Sequence, residues 1–275
     1  MNSQTVKDVQ NKILDVMKYI DELCRTNDIK YSIMGGTALG AVRHGGFIPW
    51  DDDLDIFMTP SEYEKFKEVF NKANSEKYVL QAWKTTPNYL EYAKVRMNGT
   101  TFIEESFENN KGMHHGIYVD IMILHKCPNK KRIQKKLYYK CKYVTLYALS
   151  KRNWKPKTKF QKLALLLLKM LPNKLIVRSF YKHIYKYDDK IMDDYTWFYW
   201  ITPAGFNAGL FEKDFFENLR DIRFEDCFLL APERITEYLQ YRYGDYMKLP
   251  PEEKRLSAVH AKIFDVDKDY REYIK

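Results

Sequence analysis

Little in this chain supports a covalently stapled or zinc-stapled scaffold. Its 275 residues include only four cysteines, Cys24, Cys127, Cys141 and Cys227, spread widely and with no CxxC pair. Neither a disulfide framework nor a standard zinc motif is indicated. His125, Cys127 and Cys141 come nearest to a zinc set, but their spacing matches no familiar pattern. Long apolar runs are also missing. The longest, Leu163 to Leu168, falls far short of the ~20 residues that a membrane span requires. The opening stretch, Met1 to Asp15, is polar and has no signal-peptide core. These absences predict free thiols and a cytoplasmic protein.

Acidic residues are missing from one whole region. Residues 126–187 hold 19 lysines and arginines and no aspartate or glutamate, leaving 27 basic and 37 acidic residues elsewhere. The net charge of +9 is therefore a cationic block inside an otherwise acidic chain, which points to an anionic partner. The composition is otherwise that of a soluble globular protein, 45% hydrophobic and 30% charged. The 22 tyrosines suit a polar groove or a membrane edge as well as a plain core.

Most of the candidate chemistry lies between Gly35 and Ile56. A Gly35-Gly36 turn precedes Asp51-Asp52-Asp53-Leu54-Asp55. Clustered carboxylates repel one another unless a cation sits among them. A glycine turn opening a helix offers free N–H groups and a favourable dipole to an anion. Periodicity predicts a helix over 3–29, a strand over Lys30–Met34, and a short helix Ala38–Arg43 capped by Thr37 and ended by a left-handed Gly45. Asp53–Met58 alternates as a half-buried strand, which would point Asp53 and Asp55 to one face. Ser61, with Glu64, predicts a capping box on a helix over 62–73.

Further along, Tyr89–Met97 reads as a strand, with Asn98-Gly99 as a hairpin turn into Thr100–Glu104. Gly116–Leu124 is an apolar strand interrupted only by Asp120, an acid that needs a reason to be there. It is the natural third carboxylate beside Asp53 and Asp55, though a salt bridge would also explain it. The basic block is helical by pattern with breaks at Pro156 and Pro172, and Pro232 is expected to start a helix over 232–243. No internal repeat occurs.

Several mimics of the acid cluster fall away. Ala41-Val42 stand where a P-loop needs Lys-Ser/Thr. Asp51, Asp53, Asp55 and Glu62 have EF-hand spacing, but Ile56 takes the glycine position and Pro60 breaks the loop. A DxD glycosyltransferase remains an alternative, since Asp51-x-Asp53 and Asp53-x-Asp55 both match.

The order Gly-Gly, then Asp-Leu-Asp-Ile, then Val-Asp-Ile on a later strand resembles the nucleotidyltransferase superfamily related to polymerase beta. Within it, Gly35–Ile56 closely resembles the LicD family, whose bacterial members transfer phosphocholine and whose animal relatives include fukutin. Lys94-Val95-Arg96, Thr100–Glu104, His115–Ile121, Phe224-Glu225, Pro232, Tyr243–Met247 and Leu249-Pro250-Pro251 are similar to family blocks. The match is weakest over roughly 126–190.

The resemblance implies an α+β nucleotidyltransferase fold with a mixed sheet and a basic helical insertion. The expected organisation is a catalytic core over 1–125, the insertion over 126–190 facing membrane or acceptor, and the rest of the domain over 191–275. It implies a CDP-choline or similar CDP-alcohol donor, and a glycan or lipid-linked glycan acceptor of the lipopolysaccharide or teichoic acid kind. Magnesium (or manganese) would be held by Asp53, Asp55 and Asp120, with Asp120 also helping to deprotonate the acceptor hydroxyl. Gly35, Gly36 and Thr37 would cradle phosphate, with Arg43, Lys94 and Arg96 as further phosphate contacts. His44 and His115 flank the site, Asp51 and Asp52 would orient the metal ligands, and Trp50 would stack on a base, hold a choline headgroup or pack in the core. The same choice applies to Trp197, Tyr199 and Trp200.

Other readings are a nucleotidyltransferase releasing pyrophosphate and a non-catalytic membrane- or glycan-binding protein. For the basic block, the leucine run favours an anionic membrane surface at the inner face over nucleic acid, and a buried helix with solvated lysines is the plain alternative.

Overall fold

A computed structural model of the chain describes residues 5–82, 92–105, 107–108, 112–151, 158–170, 173–201, 205–255 and 259–274. The expected breaks at Pro156 and Pro172, and residues 89–91 of an expected strand, lie outside the described residues. Two compact units emerge, one built from 1–82, 92–123 and 214–275, the other from 83–91 and 124–213.

The first unit is organised around a five-stranded mixed sheet. Its strands are β1 (Ser32–Ile33), β2 (Asp55–Met58), β3 (Tyr78–Ala82), β4 (Tyr92–Met97) and β6 (Tyr118–Ile123), in the order β1-β2-β6-β4-β3. Only β2 and β6 run parallel; the other neighbours are antiparallel. Helix α1 (Val6–Thr26) is nucleated by a Thr5–Asp8 capping box and packs against β4, β6 and α3 (Pro60–Ala73). Its Val9, Ile13, Val16, Met17, Ile20 and Cys24 are all buried. Each such aliphatic side chain contributes about 2 kcal/mol by leaving water.

Helix α2 (Gly35–His44) follows β1 and packs on α8 (Ile235–Tyr243). As expected, it ends at a left-handed Gly45, whose N–H donates to the Gly40 carbonyl. At Gly40 a β-carbon would come within 2.4 Å of the Gly46 carbonyl oxygen, so this close approach of two backbone segments admits only glycine.

Three expectations change here. Helix α3 is capped by Thr59, whose hydroxyl accepts from the Glu62 N–H, with Pro60 at its first position; Ser61 lies inside it. Pro60 has no N–H to leave unpaired, which shifts the start forward. Asn98-Gly99 is a turn but not a hairpin: β5 (Thr101–Glu104) leaves the main sheet and pairs with β12 (Ala261–Asp265), while β4 pairs with β3 and β6. Pro232 closes β11 (Cys227–Pro232), the partner of β10 (Leu219–Phe224), and α8 starts at Ile235.

The second unit holds a three-stranded antiparallel sheet of β7 (His125–Pro128), β8 (Tyr195–Phe198) and β9 (Leu210–Glu212). Helices α4 (Lys131–Ser150), α5 (Lys159–Met170) and α6 (Asn173–Ile184) complete it, and both α5 and α6 pack on α4. Buried His125 shares a proton with Asp188 at 2.9 Å, and Cys127 and Cys141 are buried as free thiols. Trp197, Tyr199 and Trp200 are buried as well, so they pack a core.

Candidate active site

The register of three strands builds the centre of the site. Pairing of β2 with β6 sets Asp55 opposite Asp120, and pairing of β6 with β4 sets Lys94 on the other side of Asp120. An Asp-Asp-Lys row therefore crosses the sheet on one face, while Ile56 and Ile121, one residue on, are fully buried on the other. The Lys94 ammonium donates to Asp120 Oδ2 at 2.9 Å and lies 3.2 Å from the centre of the Tyr118 ring. The sequence expectation of Lys94 as a direct phosphate contact thus meets a buried ion pair. Asp53 stands in the extended segment just before β2 rather than on it.

Helix α2 delivers its N-terminus to this row. Thr37 does not cap the helix. Met34 occupies the cap position, and the Thr37 hydroxyl accepts the Asp55 N–H at 2.9 Å, tying the helix to β2. Gly35 adopts φ +54° and its N–H donates to the Tyr238 hydroxyl at 3.0 Å. Of the expected phosphate cradle, the N–H groups of Gly36 and Thr37 are the ones with no partner among the described residues, as the first turn of a helix provides. Asp51 reaches the same turn: a β-carbon on Gly36 would stand 3.0 Å from its Oδ2, and one on Gly35 would stand 3.7 Å from the Tyr243 hydroxyl.

The acid loop is pinned from three sides. Gln10, buried on α1, donates to the carbonyls of Ile48 at 3.1 Å and Asp51 at 2.8 Å. Glu225, at the β10–β11 turn, accepts the Phe47 N–H at 3.1 Å and donates its own N–H to the Gly45 carbonyl at 2.8 Å. Asp52 is buried and accepts both the backbone N–H and the ring Nδ1–H of His260.

This concentration of charge shifts the titrations. Burial, then Asp51 and Asp52, push Asp53 up to about 7. Burial, then Asp53 and Asp120, hold Asp55 well above the usual carboxylate range. Burial raises Asp120 to about 6 against the pull of Lys94. Asp51 is raised by burial and by Asp52. The hydrogen bond that its ring donates to Asp52 raises His260. The donor set, all carboxylate oxygens, suits a hard divalent cation. Asp120 Oδ1 is buried and takes no hydrogen bond, although it lies 2.8 Å from Lys94 Nζ. Among the described residues no three Asp, Glu, His or Cys side chains converge enough to enclose an ion. In this structure the cation at Asp120 is Lys94.

The remaining expected residues divide. Arg43 donates to the Tyr246 carbonyl at 3.0 Å, is held below its usual range by burial and by nearby Arg255, and has no carboxylate partner among the described residues. His44 is exposed, accepts from Arg43 Nε at 3.0 Å, and meets Trp50 edge-on at 5.9 Å. Arg96 is corrected as a phosphate contact. It is fully buried, donating to Gln81 at 2.5 Å and to the Gly116 carbonyl at 2.8 Å, with Tyr118 against its guanidinium. His115 is buried beside the Tyr270 ring. Sequence reasoning missed Gln10, Tyr238 and His260. Only Gln10 carried a signal, as a polar residue on the apolar face of α1; Tyr238 and His260 lie about 200 residues from the site groups they bond, Gly35 and Asp52.

The candidate site is thus a helix start set beside two carboxylates, Asp55 and Asp120, on adjacent parallel strands. Residues 28–156 match the family model described as "LicD/FKTN/FKRP, nucleotidyltransferase domain". The lipopolysaccharide cholinephosphotransferase LicD of Haemophilus influenzae is 30% identical over 256 residues, 92% of this chain and 95% of that protein. The chain belongs to the LicD family. Two uncharacterised rickettsial proteins match over short stretches. One, from Rickettsia typhi, is 47% identical over 57 residues, 21% of this chain and 18% of that protein. The other, from Rickettsia prowazekii, is 59% identical over 44 residues, 16% of each.

Proposed function

We propose that this chain is a phosphotransferase on a polymerase-beta-like nucleotidyltransferase fold. It moves phosphocholine, or a related phospho-alcohol, from a CDP-linked donor to a hydroxyl of a cell-surface glycan or its lipid-linked precursor. The observation that carries this reading is the near end-to-end likeness to a lipopolysaccharide cholinephosphotransferase. The Asp55–Asp120 register supports it by setting two acids beside a phosphate-ready helix start.

The reaction forms a bond from the acceptor oxygen to the headgroup-bearing phosphorus and breaks that phosphorus's bond to the oxygen of CMP. The residues that would hold magnesium or manganese are Asp53, Asp55 and Asp120, and such an ion supplies neutralisation of the diphosphate charge. The N–H groups of Gly36 and Thr37 bind phosphate oxygens at the helix start, where the dipole favours them. Arg43, at the other end of α2, is a further cation for the donor. Asp120, raised to about 6, is matched to accept the acceptor hydroxyl's proton near neutral pH. Lys94 keeps Asp120 oriented and compensates its charge. Thr37 locks the Asp55 backbone, so the carboxylate is aimed without reorganisation.

The test is product release. The purified chain is incubated with CDP-choline, CDP-ethanolamine, CDP-glycerol, CDP-ribitol or CTP, a divalent cation and lipid-linked glycan. CMP from a CDP-alcohol alone is the expected result, and pyrophosphate from CTP overturns it. Full activity in Asp53→Asn and Asp55→Asn removes the carboxylates from the mechanism.

A further inference from the structure

The cationic block of the second unit has no part in the reaction proposed above, yet its surface is built unlike a solvated helical face. Helix α5 turns apolar stripes in opposite directions. Leu165 and Leu168 are buried, while Leu163, Leu166, Leu167 and Met170 are between 54 and 76% exposed. These four fall at i, i+3, i+4 and i+7, one continuous stripe. Leu175 and Ile176, opening α6, are exposed as well. The exposed cations Lys159 and Lys162 lie on α5, Lys174, Arg178 and Lys182 on α6, and Lys186 just after it. No acid lies anywhere in residues 126–187.

Large exposed aliphatic side chains on helices whose charges are all cationic need a partner that is both apolar and anionic. Nucleic acid satisfies the charge but has no use for a leucine stripe. A polar glycan satisfies neither. With 12 residues, α5 is about 18 Å long, and among the described residues no helix is long and apolar enough to cross a membrane. The geometry is that of a helix lying in the plane of a bilayer surface, its apolar stripe in the headgroup–acyl boundary and its lysines among anionic headgroups. We propose that the exposed faces of α5 and α6 dock this protein on an anionic phospholipid membrane. The proposal is independent of which reaction the first unit performs.

The full chain is sedimented with phosphatidylcholine vesicles and with vesicles of phosphatidylcholine mixed with phosphatidylglycerol. Binding is expected to the mixed vesicles, to be weak on the neutral ones, and to fall as salt rises. Leu166→Ser with Leu167→Ser should weaken binding by about tenfold per leucine. Charge reversal by Lys174→Glu, Arg178→Glu and Lys182→Glu should abolish it, with circular dichroism and melting unchanged in both variants because every altered side chain is exposed. Three results overturn the proposal. One is equal or absent binding to both vesicle types. A second is wild-type binding by the leucine variant, or binding of double-stranded DNA or RNA that the leucine change leaves intact. The third is a dimer by light scattering that this change dissociates, which would make a second copy the occupant. Because vesicle binding is read without turnover, these outcomes are distinct from a failure of the proposed reaction.

Discussion

Replacing Asp53 by asparagine should make the cation-free protein more stable while destroying its activity. Asp53 is pushed from its ordinary 3.8 to about 7 by burial and by Asp51 and Asp52. Between those values the folded state binds more protons than the unfolded chain, so stability falls as pH rises from about 4 to 7 and levels off above. Fully expressed, that shift corresponds to roughly 4 kcal/mol of opposition to folding at pH 8. Asp53 is only half-buried, and solvent screening plus sharing of protons with Asp51 reduces this to about 2 kcal/mol. The isosteric amide carries no charge at any pH. In chelator at pH 8, Asp53→Asn should therefore melt about 4–8 °C above wild type, and the gap should close towards pH 4. Adding magnesium or manganese should raise the wild-type melting temperature and leave the variant nearly unmoved, since the ion offsets a repulsion that the variant no longer has. Scanning fluorimetry across pH, with chelator and with each cation, reads all of this. A variant that melts at or below wild type in chelator at pH 8, or that gains as much from the cation, refutes the reasoning.

Removing Lys94 by Lys94→Met strands Asp120 in the sheet and should cost about 3–5 kcal/mol by urea titration, largely recovered by adding Asp120→Asn. Gly40→Ala drives a methyl into the Gly46 carbonyl and should lower stability by about 2–3 kcal/mol, where a calorimetric melt matching wild type would contradict the close approach. His114 is lowered to about 4, chiefly by burial and Arg96, so its contribution is fully present above 6.5 and lost as pH falls from there to about 4. In His114→Gln that part of the acid-side slope in urea midpoints should disappear. Gln10→Leu frees the carbonyls of Ile48 and Asp51 and should cost about 1–2 kcal/mol, with kcat falling further than KM changes, because the acid loop is displaced rather than the donor contacts removed.

Much of this molecule was legible residue by residue. The period of α1, the left-handed Gly45, the glycine pair ahead of the acids and the solitary Asp120 in an apolar strand are each statements about a residue and its near neighbours. Local sterics and alternation suffice to read them. Errors arose where a residue had two local options. Thr59 and Ser61 both cap well, and Pro60 decided between them. Thr37 suits a cap, yet its hydroxyl serves β2 by accepting the Asp55 N–H. Asn98-Gly99 has the chemistry of a hairpin turn, but β6 outcompeted β5 for the open edge of β4.

By itself the sequence determined which groups this protein has to work with: a paired-glycine helix start, an excess of carboxylates beside it, and a cationic leucine-bearing segment with no acid in it. Only the tertiary structure decided which of them meet. It set Asp55 against Asp120, placed Lys94 beside Asp120 where a metal ion had been expected, enclosed Arg96, brought Gln10 and His260 to the acid loop and set Tyr238 on the start of α2. The physical reason is that pairing across long separations is chosen by burial and register over the whole core. A strand slipped by two residues would keep every local pattern intact and dismantle the site.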